Sequence, residues 1–435
     1  MVRFTALLAR SCLVALPLAT ALTVPQQVLG EQVGSTDLVN EEAFLNASEI
    51  STVAIGTSDT RSCENFDPQQ WDYDVVIVGG GPAGLAASMS LGRVGRTSLM
   101  YDSGQYRNIQ TRYMHDVLGQ DGEIPLKFRI AVRGQIDMYY SEYAKRATSG
   151  VKVTAVQPLA KGFRVYDEQG GKITARKVIL ATGITDVLPD KPGFKEAFGR
   201  GLFWCPWCDG FDYRNRAMVI LGTPDKLASA IGAALNMRKL TKDIQIIVGG
   251  KPTEEAKKEA EERWPGWENV IKKTYNIKIH EVDVTKIERT ASGNEPKDDQ
   301  YKLTLTGWPS TINTNGILIS ARTEQTSNLY KQLHLQMAGK SIKVQDNMET
   351  SVGGIYAVGD ANSDGSTNAY HAMWSAKRAV VNAHVAISKD EYLEAVGPTM
   401  VAEEGGDLRF YERQIEELEW MMGHDVEELY KALGG

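Results

Sequence analysis

Cysteine is scarce in this chain. Its 435 residues hold four, Cys12, Cys63, Cys205 and Cys208, too few for a scaffold stapled by disulfides. The six histidines are scattered, and no second close pair of cysteines accompanies Cys205 and Cys208. A tetrahedral zinc site therefore lacks half its ligands, and no metal is expected. Beyond the N-terminal segment there is no uncharged apolar run long enough to cross a bilayer. Positive charge is not in excess either: 48 Lys and Arg against 55 Asp and Glu leave a net charge of -7, which weighs against a general nucleic-acid binder. Glycine, by contrast, is abundant at 41 residues, several in tight clusters where the backbone can approach a ligand. The length calls for two domains plus extensions.

The N-terminus reads as a secretory signal. Arg3 and Arg10 supply positive charge, residues 11–22 an apolar stretch too short to span a membrane, and Ala19-Thr20-Ala21 a small-residue cleavage site. We expect residues 1–21 to be removed and the protein to be extracellular, a retained anchor being the alternative. The sequon Asn46-Ala47-Ser48 agrees with secretion and glycosylation. Residues 22–70 are polar with little periodicity and read as a propeptide or flexible arm. Cys63 is the odd cysteine of the mature chain, free or paired between chains.

Order is expected from Trp71. Tyr73 to Val78 is a β-rich run ending in Gly79-Gly80-Gly81-Pro82-Ala83-Gly84, a helical stretch follows from Leu85, and a second strand, Thr97 to Tyr101, ends at Asp102. Gly79 allows the tight turn, Gly81 the approach of a pyrophosphate, and Gly84 the packing of helix on strand. The helix start, with its unpaired N–H groups, holds the phosphates, and Asp102 is placed for a ribose hydroxyl. Further apolar runs are expected as strands: Val178 to Leu180 before Ala181-Thr182-Gly183, Ala217 to Leu221, Ile244 to Val248, Ile317 to Ile319, and Ile355 to Val358 before Gly359-Asp360. Pro and Gly around residues 188–193 mark a crossover between domains. Residues 251–263 read as a charged, solvated helix. Residues 407–433 carry an amphipathic pattern through Leu408, Tyr411, Ile415, Leu418 and Met422.

The second chemical motif is Cys205-Pro206-Trp207-Cys208 followed by Asp209. Cysteines two residues apart can close a small disulfide and reopen it, and this spacing favours an attacking thiolate. The alternatives are a static disulfide or half a metal site. Asp209 is a candidate proton shuttle beside such a centre, or a solvated turn residue.

In order, the glycine fingerprint, the Ala-Thr-Gly turn, the CxxC-Asp run and the late Gly-Asp resemble the low-molecular-weight thioredoxin reductases over roughly residues 71–400. The resemblance implies an α/β chain with two Rossmann-like domains. An FAD-binding domain is split between residues 71–187 and 313–400, a CxxC-bearing NADPH-type domain fills 188–312 between them, and a helical extension follows over 401–435. It implies FAD as cofactor, with Asp360 on the ribityl and phosphate, Cys208 facing the flavin and Cys205 meeting the substrate. It also implies a homodimer. The run from Asp102 to Asn108, with Met114-His115-Asp116, resembles fungal thiol oxidases, including gliotoxin-type dithiol oxidases and secreted sulfhydryl oxidases. That narrower resemblance sets Arg107, Asn108 and His115 along the FAD pocket. His371, soon after Gly359-Asp360, is a candidate base or else a packed helix histidine.

The sequence departs from the reductases at the second dinucleotide turn, Gly222-Thr223-Pro224-Asp225-Lys226-Leu227. Pro224 removes an N–H and adds a ring, Asp225 adds negative charge, and Leu227 is expected to hold the helix off the strand. Beyond the next strand Lys251 offers one cation and no arginine pair awaits a 2′-phosphate. A secreted flavoprotein without a nicotinamide supply must draw electrons from thiols such as glutathione and pass them to oxygen. The rival readings are an NADPH-dependent disulfide reductase, a metabolite dithiol oxidase, and a flavin-holding protein without turnover.

Overall fold

The run Val75-Val76-Ile77 is apolar at every position because both of its faces are covered: all three residues are fully buried, each contributing roughly 1.5–3 kcal/mol through burial. They belong to β1 (Tyr73–Val78), which leads through the glycine turn into α1 (Pro82–Arg93) and on to β2 (Ser98–Tyr101). The computed structural model describes residues 71–307, 311–365 and 367–403, without the side chains of 396–403. The expected signal, the polar arm, the Asn46 sequon, Cys63 and the amphipathic pattern of 407–433 lie outside the described residues.

After β2 come α2 (Pro125–Tyr140), β3 (Ala144–Arg146), β4 (Val153–Pro158), β5 (Phe163–Asp167) and β6 (Lys172–Leu180). The first sheet has the order β3-β2-β1-β6-β5-β4; β1 pairs in parallel with β2 and β6, while β4, β5 and β6 form an antiparallel meander. The chain leaves this sheet through β7 (Ile184–Val187). It then builds a second, parallel sheet from β8 (Leu202–Phe203), β9 (Met218–Leu221), β10 (Ile244–Ile247), β11 (Lys278–His280) and β15 (Gly316–Ile319), in the order β11-β10-β9-β15-β8. Within this lobe lie the helices α3 (Pro206–Asp209), α4 (Leu227–Met237) and α5 (Glu254–Arg263) and the antiparallel sheet of β12 (Val284–Ala291), β13 (Gln300–Leu305) and β14 (Thr311–Thr314).

The return runs through β16 (Arg322–Gln325), antiparallel to β7, so one two-stranded ribbon carries both crossings between lobes. After a short hairpin of β17 (Met337–Ala338) and β18 (Ser341–Ile342), β19 (Ile355–Ala357) rejoins the first sheet in parallel beside β6. The first Rossmann-like domain is therefore discontinuous, as the resemblance implies, but β15 (Gly316–Ile319) still belongs to the second sheet, so its second part begins after the β16 crossing and not at residue 313. The closing helix α6 (Ala369–Glu403) packs on α1, and the Ser375 hydroxyl accepts the Gly359 N–H at 2.9 Å, pinning the turn after β19 to that helix.

The remade turn of the second lobe corrects one expectation. Leu227 does not hold its helix away. It opens α4, is 1% exposed, and fills the core beside Ala228, Ala230 and Ile231. Ala230 supplies the close approach instead: a Cβ at Gly222 would stand 2.9 Å from that of Ala230. The helix simply begins later than the sequence spacing suggests.

Candidate functional site

Strand ends converge on one large cavity, about 350 Å³, which runs from the glycine turn after β1 to the CxxC motif. The glycines divide the work by geometry. Gly79 takes φ +119°, and any Cβ there would collide with the Ala181 carbonyl at 2.2 Å. A Cβ on Gly84 would lie 1.8 Å from the Gly79 carbonyl, so Gly84 is buried packing between helix and turn and does not line the cavity. Gly81 faces open space, with nothing within 4 Å of its would-be Cβ. It lines the cavity together with Pro82 and Ala83 at the start of α1. These residues fit a pyrophosphate: an uncovered backbone, a helix N-terminus and no side chain in the way.

Ala181, Thr182 and Gly183 follow β6 and form a second wall, and Gly359 and Asp360 a third. Arg107, Asn108 and His115 line the cavity from the loop after β2. Arg107 is the hub. Its Nε and Nη2 each lie 2.8 Å from the Asp186 carboxylate, its Nη1 lies 2.9 Å from Asp360 Oδ2, and its guanidinium stacks on Trp204. Burial pushes the Asp360 carboxyl above the usual range, against the opposing pull of Arg107.

Asp102 is placed differently from its expectation. It ends β2 but is 6% exposed and off the cavity wall. Its Oδ1 accepts from Gly104 N at 3.0 Å, and its Oδ2 accepts from the Tyr106 hydroxyl at 2.6 Å and from Arg133. Tyr106 reaches the wall in its place. Burial, with the Asp102 carboxylate beside it, pushes that phenol well up, so it stays a donor.

His371 also departs from a catalytic position. It does not line the cavity, although Asn368, Ala369 and Ala372 around it do. Its ring is buried beside Trp374, and its Nε2 lies 2.8 Å from Asp364 Oδ1 without hydrogen-bond alignment. The structure thus places His371 behind the cavity wall, packed beside Trp374 and Asp364, with its charge bearing on Asp360.

Cys205 and Cys208 are joined, with Cα atoms 5.2 Å apart. Cys205 caps α3, its sulfur accepting the Cys208 N–H at 3.0 Å. The two sulfurs differ in surroundings: Cys208 lines the cavity, whereas Cys205 is 9% exposed and does not. Asp209, also on the wall, has its carboxyl pushed up to about 7, chiefly by burial and further by Asp212, with His115 opposing.

The residues that sequence reasoning missed adjoin its motifs. Trp204 directly precedes Cys205, Asp186 stands three residues past Gly183, Tyr106 precedes Arg107, and Asp212 is one short turn beyond Asp209. Aromatic and acidic neighbours of a glycine or cysteine motif were the available signal.

A sequence model of the family described as pyridine nucleotide-disulphide oxidoreductase matches residues 73–376. A probable thioredoxin reductase of Arthroderma benhamiae is 37% identical over 383 residues, spanning 83% of this chain and 90% of its own length. The thioredoxin reductase tcpT of Claviceps purpurea is 36% identical over 180 residues, 41% of this chain and 56% of that protein. Among solved structures, a putative thioredoxin reductase TrxB from Bacillus anthracis matches with a TM-score of 0.63 at 20% identity, covering 73% of this chain and 99% of the other. That likeness shows the fold.

Proposed function

Because the chain belongs to the pyridine nucleotide-disulphide oxidoreductase family, with FAD as its cofactor, we propose that it is a thiol oxidase, converting two small thiols and oxygen to a disulfide and hydrogen peroxide. One observation carries the choice of oxidase over reductase. At the second dinucleotide turn, Pro224 ring carbons stand 3.5 and 3.4 Å from where a Cβ would lie on Gly249 and Gly250. The Pro224 ring thus stands beside the strand end a nicotinamide nucleotide would approach, and the Pro224 position donates no N–H to a phosphate.

The chemistry follows from the sulfur pair. A substrate thiolate attacks Cys205 Sγ, the Cys205–Cys208 bond breaks, and Cys208 leaves as the thiolate. A second substrate thiolate attacks the substrate sulfur of the mixed disulfide, and the product disulfide departs, leaving Cys205 reduced. FAD, when bound, supplies the two-electron carrier between this dithiol and oxygen. Arg107 and Trp204 hold the segment before Cys205 against the cavity, and Asp209 holds or accepts a proton beside Cys208.

The burial of Cys205, a residue 9% exposed, supports small thiols, glutathione among them, over folded protein substrates, whose surfaces reach such a residue poorly. The sequence of residues 1–21 supports placing the reaction outside the cell. The alternative is an NADPH-dependent disulfide reductase, favoured by the name of the Arthroderma relative. One experiment separates them: the purified holoprotein, without oxygen, receives glutathione or NADPH while flavin absorbance is followed. Bleaching by thiol and not by NADPH supports the oxidase; rapid bleaching by NADPH overturns it. Cys205→Ser must abolish thiol-driven oxygen uptake.

A further inference from the structure

The loop between β2 and α2 holds a histidine that lines the cavity and also reaches two acidic side chains. His115 lies on the cavity wall with Asp209. Its Nε2 is 3.2 Å from Asp212 Oδ2, and its Nδ1 is 3.5 Å from Asp121 Oδ1. Asp212 is one-fifth exposed, Asp121 two-thirds exposed, and the His115 ring one-fifth exposed. Acidic groups thus run from a buried carboxyl beside Cys208, past one imidazole, to the solvent.

The local backbone is built to hold the ring there. Met114 N donates to Glu123 O and Gly122 N to Met114 O, both at 2.8 Å, closing a tight loop across residues 114–123. Asp116, at φ +60°, donates its N–H to Asp121 Oδ1 at 2.8 Å, which fixes the same carboxylate that faces His115. A residue other than glycine in this conformation is held by its surroundings.

We propose that His115 is the proton conduit between Asp209 and solvent, positioned by Asp212 and discharging at Asp121. This rests on the thiol oxidase reading. Each substrate thiol that becomes a thiolate releases one proton; Asp209 takes it as a carboxylate and becomes the carboxylic acid. The imidazole takes that proton on one ring nitrogen and releases one from the other to the Asp121 side, ending as the neutral ring. No electron moves in this step, and the two protons of the peroxide come from solvent. A carboxyl with its proton affinity near neutrality suits such a carrier, and a histidine is the side chain able to pass a proton across two nitrogens at that pH. The charged groups bearing on the imidazole are Asp121 on its own loop and Asp209 and Asp212 from the CxxC segment.

The test uses the FAD-loaded holoprotein, with flavin reduction by dithiothreitol followed by stopped flow from pH 5.5 to 9. His115→Gln is expected to slow reduction 10- to 100-fold, to change the pH profile, and to recover with added imidazole. A rate within twofold of wild type, or a loss with unchanged profile and no imidazole rescue, overturns the proposal. If His115→Gln does not retain flavin, the exposed Asp121→Asn carries the test, with a 3- to 10-fold loss that imidazole restores; an unchanged rate overturns it. Asp209→Asn is measured in parallel. Loss there with normal His115→Gln kinetics removes the conduit alone, whereas absence of any thiol-driven reduction in wild type removes the oxidase reading.

Discussion

The guanidinium of Arg107 lies 3.8 Å from the centre of the Trp204 ring, directly ahead of the Cys205–Cys208 disulfide. The same arginine holds Asp186, whose side chain is 2% exposed, and Asp360. Removing it strands the buried Asp186 carboxylate and the partly buried Asp360, a loss of about 3–5 kcal/mol. Arg107→Ala should therefore lower the melting temperature markedly and shed flavin on dilution. Arg107→Lys keeps the charge but loses both the fork and the flat face, so it should recover only a fraction of each. Calorimetry and the flavin-to-protein absorbance ratio measure both effects, and equal behaviour of Lys and Arg would rule out the bridging geometry.

Two glycines of one turn should fail in different ways. Gly84→Ala puts a carbon 1.8 Å from the Gly79 carbonyl, forcing helix and turn apart at a cost of about 1–3 kcal/mol or more. Gly81→Ala meets nothing in the protein, and its φ of -73° suits any residue, so stability of the flavin-free protein should hold while FAD affinity falls. Thermal unfolding of flavin-free protein and a flavin titration distinguish the two.

That distinction shows what the sequence made legible. The spacing Gly79-x-Gly81-x-x-Gly84 announced a dinucleotide turn, and β1, β2, β6, β9, β10, β15 and β19 followed from apolar runs, because parallel strands covered on both faces have no polar alternation to blur them. Residues within a few positions of those motifs escaped for a physical reason: what Tyr106 and Asp212 do is decided by partners 4 and 97 residues away in sequence. Asp102 shows the same limit. Its place at the strand end is legible, but its carboxylate is engaged by Arg133, one face of a helix that no motif ties to it. Pro224 was legible as a lost donor, whereas its place beside Gly249 and Gly250 required the fold.

Asp209 predicts a pH dependence with a definite sign. Its folded-state pKa is raised to about 7 by burial, by Asp212 and against His115, compared with about 3.9 in an unfolded chain. The folded protein then binds the extra proton between about pH 4 and 7, so stability falls as pH rises through that window. Asp209→Asn should be near neutral at pH 4.5 and stabilising at pH 8 by a few kcal/mol, at about 1.4 kcal/mol per pKa unit. Melting curves of both proteins across this range check it; parallel curves would show that the carboxyl is not held as described.

Asp299 predicts the opposite slope. It is fully buried, and burial alone would raise its pKa, but hydrogen bonds from Arg289, Arg112 and Gly293 more than offset that and hold the carboxyl below its usual range. Arg112 comes from the loop after β2, Arg289 from β12 and Asp299 from the segment before β13, so one carboxylate ties the first lobe's loop to the second lobe. Arg200 stands close enough to Arg112 and Arg289 that its own pKa is lowered, first by burial and then by their charge. Asp299→Asn leaves three clustered guanidinium groups without their counter-charge. It should cost about 3–5 kcal/mol at pH 7. Because the folded pKa is depressed, this contribution is present above the unfolded pKa near 4 and fades as pH falls through the folded value. The gap in melting temperature between wild type and Asp299→Asn should therefore be widest at pH 6–8 and narrow below pH 4. A gap that stays constant down to pH 3 would mean that packing, not charge, is what Asp299 contributes.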